Sequence, residues 1–229
     1  MSGVRILDVD PAWRTSHPGA RVGLIALRGV RNLAAHDELN ELASVLEEDL
    51  RDRLGTVDRE TIRAMPPLPA YAAYYKRWGQ RYHVAMQLES VAQKSKPLPR
   101  VAALVEAMFI AELRNLLLTA GHDLDELELP VRLSAGAGEA FSGPSGKEMT
   151  VKPGDMFIAE AQGRVLSAII TGPSDFARIG PETTAALFYT YAPPGVDPDL
   201  ISTHLDEIER NVRLISPEAE VIGREIVTA

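Results

Sequence analysis

Cysteine is absent from the 229 residues. Disulfides, thiolate catalysis and Cys-based zinc sites are thereby excluded. No apolar run approaches the ~20 residues that a helical membrane span requires. There is no GxGxxG after a strand and no GxxxxGK[ST], so neither a dinucleotide nor a nucleoside-triphosphate cradle is present. HExxH is missing too, and the five histidines (His17, His36, His83, His122 and His204) lie far apart in the chain. Neither a metal nor any other cofactor is expected. The GxSxG nucleophile elbow of common hydrolases is also missing. Gly143-Pro144-Ser145-Gly146 has the composition of a β-turn, not of a nucleophile motif. The segment MSGVRILDVDPAW lacks the basic start, apolar core and small-residue cleavage site of a signal peptide, so a cytoplasmic location is the expectation.

What is present is the composition of an ordinary globular chain, 45% hydrophobic and 24% charged. The formal net charge is −8, which argues against broad nonspecific nucleic-acid binding, DNA included. The charge is unevenly spread, +3 over residues 1–100 and −11 over 101–229. Lys76, Arg77, Arg81, Lys94, Lys96 and Arg100 stand against Glu89 alone in residues 76–100. Such a patch can meet phosphates even on an acidic protein. It is equally readable as a solvated basic face.

Periodicity orders the chain. Arg21–Leu27 reads as a buried strand between Pro18-Gly19 and Gly29. Residues 37–54 repeat Leu39, Leu42, Leu46 and Leu50 at helical spacing, with Asp37 as N-cap and Gly55 as stop. After Met65-Pro66-Pro67-Leu68-Pro69, five aromatics (Tyr71, Tyr74, Tyr75, Trp78 and Tyr82) fall on one helical face. That face is either a core stripe or a surface that stacks bases. The spacing predicts a long helix over Leu98–Leu118, with Gly121 as its C′ residue. From Leu127 onward short strands alternate with Gly/Pro turns, and an amphipathic helix closes the pattern over Asp199–Leu214. The expected architecture is α+β: a single domain spanning residues 1–229, its core about 18–220, with a mixed, largely antiparallel sheet packed against helices. The strand near residue 24 is expected to join the later sheet.

Polar groups gather at the end of the predicted long helix. Glu112 and Asn115, three apart, share a helical face. His122 and Asp123 follow the glycine stop, where the helix dipole favours a cation. These residues read either as caps and a polar rim or as a site.

The segment KPLPRVAALVEAMFIAELRNLLLTAGHDLDEL, followed by DMFIAEAQG and GPSDFARIGPETTAALF, resembles the B3/B4 domain. That domain is the tRNA-binding and editing module of the bacterial phenylalanyl-tRNA synthetase beta subunit, and the resemblance is strongest to its freestanding relatives, over residues 18–220. It implies the B3/B4 fold and a tRNA or aminoacyl-tRNA partner, with hydrolysis of a misattached aminoacyl ester as the activity. It places Asp175 at the family's acidic position, with Ser174 one register away and Gly172 in the same loop. Ala120 stands where the synthetase has a His, and Phe109 where an Asn is common. Hydrolysis of an activated ester needs a positioned water and oxyanion stabilisation, not a protein nucleophile. On this reading Asp175, His122 and Glu112 are the candidate catalytic groups: Asp175 for the substrate's α-ammonium, His122 or Glu112 for the water. Asn115, Asp123, Ser174 and Gly172 would bind substrate, and backbone N–H groups near Gly172 and Gly136–Gly138 would form the oxyanion hole. The basic residues from Lys76 to Arg100 would bind RNA. The competing readings are a non-catalytic RNA- or amino-acid-binding module and a structural domain with a vestigial pocket. Oligomeric state is left open.

Overall fold

The longest buried strand in the chain, β10 (Ala185–Ala192), has no exposed residue, which explains why its sequence AALFYTYA lacks polar alternation. It runs antiparallel between β2 (Arg21–Arg28) and β3 (Thr119–Asp123), with β11 (Glu220–Thr228) outside β2, in the order β11-β2-β10-β3. A computed structural model describes residues 5–229 of this architecture. A second sheet has the order β1-β4-β7-β8-β9, built from Leu7–Val9, Val131–Ala135, Met156–Ala159, Val165–Ala168 and Gly172–Pro173. Among the described residues only its β1–β4 pair is parallel. A small hairpin joins β5 (Ala140–Ser142) to β6 (Glu148–Thr150).

The fold is thus a single α+β domain of mixed sheets packed on helices. It has two main sheets where one was expected. The early strand β2 does join a late strand, β10, but β4, β7 and β8 form their own layer. The two sheets meet where the Ser167 hydroxyl of β8 lies 2.9 Å from the Tyr189 hydroxyl and 3.0 Å from that of Tyr191 on β10. The opposite face of the β10 sheet carries helix α7 (Pro198–Ile215). Its N-cap Asp197 accepts from the Asp199 N–H, and Ile201, Leu205, Ile208, Val212 and Ile215 fall at helical spacing into the core. Gly23 allows α7 this close, because a Cβ there would stand 2.5 Å from the Ile201 side chain. Helix α6 (Ala103–Asn115) packs against α7 and is tied to it by the Asn211 side-chain amide, which donates to the Ala107 carbonyl at 3.0 Å.

Four expectations are corrected. The long helix is shorter at both ends: Pro97 and Pro99 keep the entry extended, and Leu116 ends it in the left-handed region at φ 57°. Gly121 is therefore not a C′ residue but lies within β3. The tyrosine hydroxyl of Tyr82 donates to the Leu116 carbonyl at 3.0 Å and satisfies one of the helix's orphan acceptors. Asp37 is the first helical residue of α2 (Asp37–Leu54), and His36 holds the cap position without a side-chain bond. Finally, the aromatic run is split between α4 (Leu68–Lys76) and the residue before α5 (His83–Lys94). Tyr71, Tyr74, Tyr75 and Tyr82 are buried in the core, where Tyr71 and Tyr82 stack at 4.1 Å. They offer no face to an RNA base.

Candidate functional site

Because α6 stops at Asn115 and the chain turns back as β3, the C-terminal half of the helix and an edge strand diverge. The gap is closed by β8, β9 and the loop of residues 172–179. It encloses a cavity of about 510 Å³. Val105, Met108 and Phe109 of α6, with Leu118, Ile169 and Ile179, make its walls largely apolar. Glu112, Thr119, His122, Ser167, Ser174 and Tyr191 supply the polar groups, and His83, Gln87 and Arg178 also line it.

Glu112 is buried and accepts the Thr119 N–H at 2.8 Å. Its other carboxyl oxygen has no hydrogen-bond partner among the described residues. Burial raises its pKa to about 8, a rise that the Thr119 N–H only partly offsets. At neutral pH Glu112 is therefore mostly a carboxylic acid, a donor as well as an acceptor. His122 is 1% exposed and lies parallel to the Tyr189 ring at 5.7 Å between centroids. Neither of its ring nitrogens has a hydrogen-bond partner among the described residues. Burial lowers its pKa to about 4, against a smaller opposing effect from the Ala177 and Phe176 carbonyls, which lie nearby without hydrogen-bonding geometry. The imidazole is thus neutral at pH 7. The environment inverts the usual order of the two groups, protonating the carboxyl and deprotonating the imidazole.

The remaining sequence candidates separate. Gly172 and Ser174 line the cavity, as do Glu112 and His122. Asp175 does not. Its carboxylate accepts the Gly146 N–H at 2.7 Å and an Arg178 guanidinium N–H at 3.2 Å, and its own N–H donates to the Ser142 carbonyl. Asp123 accepts from the Thr183 hydroxyl at 2.6 Å and from the Asp125 N–H. Asn115 points to α7, donating to Glu207 at 2.9 Å beside His204. The three-residue spacing that put Glu112 and Asn115 on one face is real, but the α6–α7 seam and the cavity lie on either side of it. The Ala137 and Gly138 N–H groups are taken by the Glu139 carboxylate and lie outside the cavity lining. Of the basic residues, Arg100 pairs with Glu47 and the buried Glu106, and Arg77 stacks on Trp78 at 4.5 Å. Lys76, Arg81, Lys94 and Lys96 are exposed and pair with no carboxylate among the described residues.

The sequence reading did not single out Thr119, Ser167 or Arg178. Thr119 joins both sides of the wall: its N–H holds Glu112, and its hydroxyl lies 2.7 Å from His204 Nε2. No motif marks it, since its role comes from a helix end and a strand edge meeting. Among the described residues no group of three or more His, Asp and Glu is arranged to hold a metal ion, and no helix is long and apolar enough to cross a membrane.

No protein-family model matches the sequence, and no curated protein matches it. Among solved structures, an N-terminal fragment of the phenylalanyl-tRNA synthetase beta-subunit from Pyrococcus horikoshii is similar, with a TM-score of 0.48 and 13% sequence identity over 96% of this chain. The chain spans 50% of the length of that fragment.

Proposed function

We propose that the protein hydrolyses an aminoacyl ester carried by tRNA, in trans, with the aminoacyl group seated in the cavity between α6, β3 and the 172–179 loop. The observation that carries this reading is that two buried, incompletely bonded groups line one cavity: a protonated Glu112 and a neutral His122. Such a pair is already in the states that ester hydrolysis uses. Water attacks the acyl carbon and gives its proton to a ring nitrogen of His122. The Glu112 O–H donates to the departing ribose oxygen, and the C–O ester bond breaks to free the amino acid and the tRNA hydroxyl. Proton return from imidazolium to carboxylate restores the starting states. A cavity of about 510 Å³ with apolar walls suits an amino-acid side chain. Lys76, Arg81, Lys94 and Lys96 supply exposed positive charge for the RNA backbone. The order of sequence segments resembling the B3/B4 editing module supports the same reading.

A second reading has its own observation. The acid that the resemblance marks out, Asp175, is bonded to Gly146 and Arg178 and lies outside the cavity lining. This favours a binding module in which no carboxylate is free to receive the substrate's ammonium group. One experiment separates the two. The purified protein is incubated with a panel of correctly and incorrectly acylated tRNAs, tyrosyl forms of the phenylalanine tRNA first, and ester loss is followed. Turnover of one species that is lost in both Glu112→Ala and His122→Ala supports the hydrolase. Binding of tRNA without turnover of any species establishes the module and ends the hydrolase reading.

A further inference from the structure

The edge of β3 has a gap in its hydrogen bonding, and the gap opens into the cavity. The Tyr191 N–H donates to the Leu118 carbonyl, and the Leu124 N–H donates to the Ala185 carbonyl. These bonds point Leu118 and Leu124 toward β10. In an antiparallel pair the backbone groups alternate sides residue by residue, so Ala120 and His122 also bond toward β10. Thr119, Gly121 and Asp123 direct their N–H and C=O groups outward. The outward groups at both ends are filled. The Thr119 N–H goes to the Glu112 carboxyl at 2.8 Å, and the Asp123 N–H goes to the Ala177 carbonyl at 2.8 Å. Between them, the Thr119 carbonyl and the Gly121 N–H have no partner among the described residues, and Thr119, Ala120 and Gly121 all line the cavity. Thr119 is buried and Gly121 half-buried, and backbone groups withdrawn from bulk solvent are nearly always paired, so the two together offer an acceptor and a donor to a ligand.

We propose that this open stretch of β3 binds the main chain of a single α-aminoacyl group, whose amine donates to the Thr119 carbonyl and whose carbonyl oxygen accepts from the Gly121 N–H. A C=O and an N–H two residues apart on a strand form the slot that one residue of a parallel partner fills. An α-aminoacyl group carries a donor and an acceptor in that arrangement on one residue. The slot admits one residue only, because Glu112 closes it on one side and the Ala177 carbonyl on the other. An extended peptide is therefore excluded, and a simple acyl chain without an amine leaves the Thr119 carbonyl unpaired. Gly121 cannot carry a side chain here, since a Cβ would stand 2.9 Å from the Phe188 ring and 3.0 Å from Ile179. The inference deepens the reading above and rests on it for the occupation of the cavity by an aminoacyl group. The Gly121 N–H would also face the oxygen on which negative charge develops during ester hydrolysis.

The test uses ¹⁵N-labelled full-length protein and ligands that cannot be hydrolysed as esters. In the free protein, the Gly121 amide proton exchanges with solvent faster than those of Ala120 and His122. A panel of L-amino acid amides with apolar side chains, phenylalaninamide included, is then titrated alongside the amine-free 3-phenylpropionamide. The expected result is a downfield shift of the Gly121 amide proton with at least one amino acid amide. Loss of the amine weakens binding by about tenfold or more, as for one charge-assisted hydrogen bond. A Gly121 amide that stays put while ligand binds, equal binding of the amine-free analogue, or binding of no amide in the panel overturns the proposal. Amide binding at Gly121 without turnover of any acylated tRNA would end the hydrolase reading and leave the slot standing. Turnover with an unmoved Gly121 would do the reverse.

Discussion

Replacing Glu112 by Gln tests the electrostatics of the cavity directly. Glutamine keeps an oxygen for the Thr119 N–H and matches the shape of the protonated acid, but cannot ionise. The folded-state pKa of Glu112 is raised from 4.5 to about 8. A raised pKa contributes stability that is fully present below the unfolded value of 4.5 and is lost progressively as pH rises through 8. Each unit is worth about 1.4 kcal/mol, so the ionisable side chain forfeits roughly 3 kcal/mol by pH 7 and about 4 kcal/mol by pH 8.5 relative to pH 4.5. Glu112→Gln forfeits none of it. The variant should match the wild type at pH 4.5 and exceed it by about 3 kcal/mol at pH 7. Urea unfolding of both proteins at pH 4.5, 6, 7 and 8.5 reads this, and the difference between them cancels the other titrating groups. A difference that does not change with pH would show that Glu112 is not held neutral by burial, and the proton inventory proposed for the cavity would fail with it.

Three further outcomes are expected. With an accepted acylated tRNA as substrate, the deacylation rate should hold a plateau between about pH 4, set by His122, and about pH 8, set by Glu112; a rate that rises steadily past pH 8 would remove Glu112 as the acid. Arg100→Ala leaves the buried Glu106 without its guanidinium, while Glu47 keeps Arg51 at 3.1 Å, so it should cost about 3 kcal/mol in denaturant unfolding, and a loss below 0.5 kcal/mol or so would mark the pairs as surface-like. Alanine at Lys76, Arg81, Lys94 and Lys96 together should leave the melting temperature unchanged, because none of the four pairs with a carboxylate among the described residues, yet should weaken tRNA binding and flatten its salt dependence; an unaltered salt slope would place the RNA surface elsewhere.

The fold class, the strand at Arg21–Arg28 and the closing amphipathic helix were legible because their hydrophobic periods reach the core without help from distant residues. Leu39, Leu46 and Leu50 of α2 and Ile201, Leu205 and Ile208 of α7 are buried where their spacing puts them. The end of α6 was not legible. Leu116-Leu117-Leu118 continues an apolar helical pattern, and only pairing with β10 turns the following residues into a strand. That turn also separates Glu112 from Asn115, sending one to the cavity and the other to α7. Asp175 was chosen by its place in a motif, but the Gly146 N–H that occupies it lies 29 residues away.

Local chemistry by itself determined what this chain cannot be: without cysteine or a phosphate-binding glycine loop, thiolate and nucleotide-cradle chemistry are excluded. It also determined which segments are amphipathic, since helical and strand periods depend only on neighbouring residues. Tertiary structure alone decided that Glu112 is protonated and His122 neutral, because a pKa follows from burial, and burial from residues far away in sequence. It alone left the Thr119 carbonyl and the Gly121 N–H open, because strand pairing fixes which way each backbone group points, and an edge exists only where no further strand arrives.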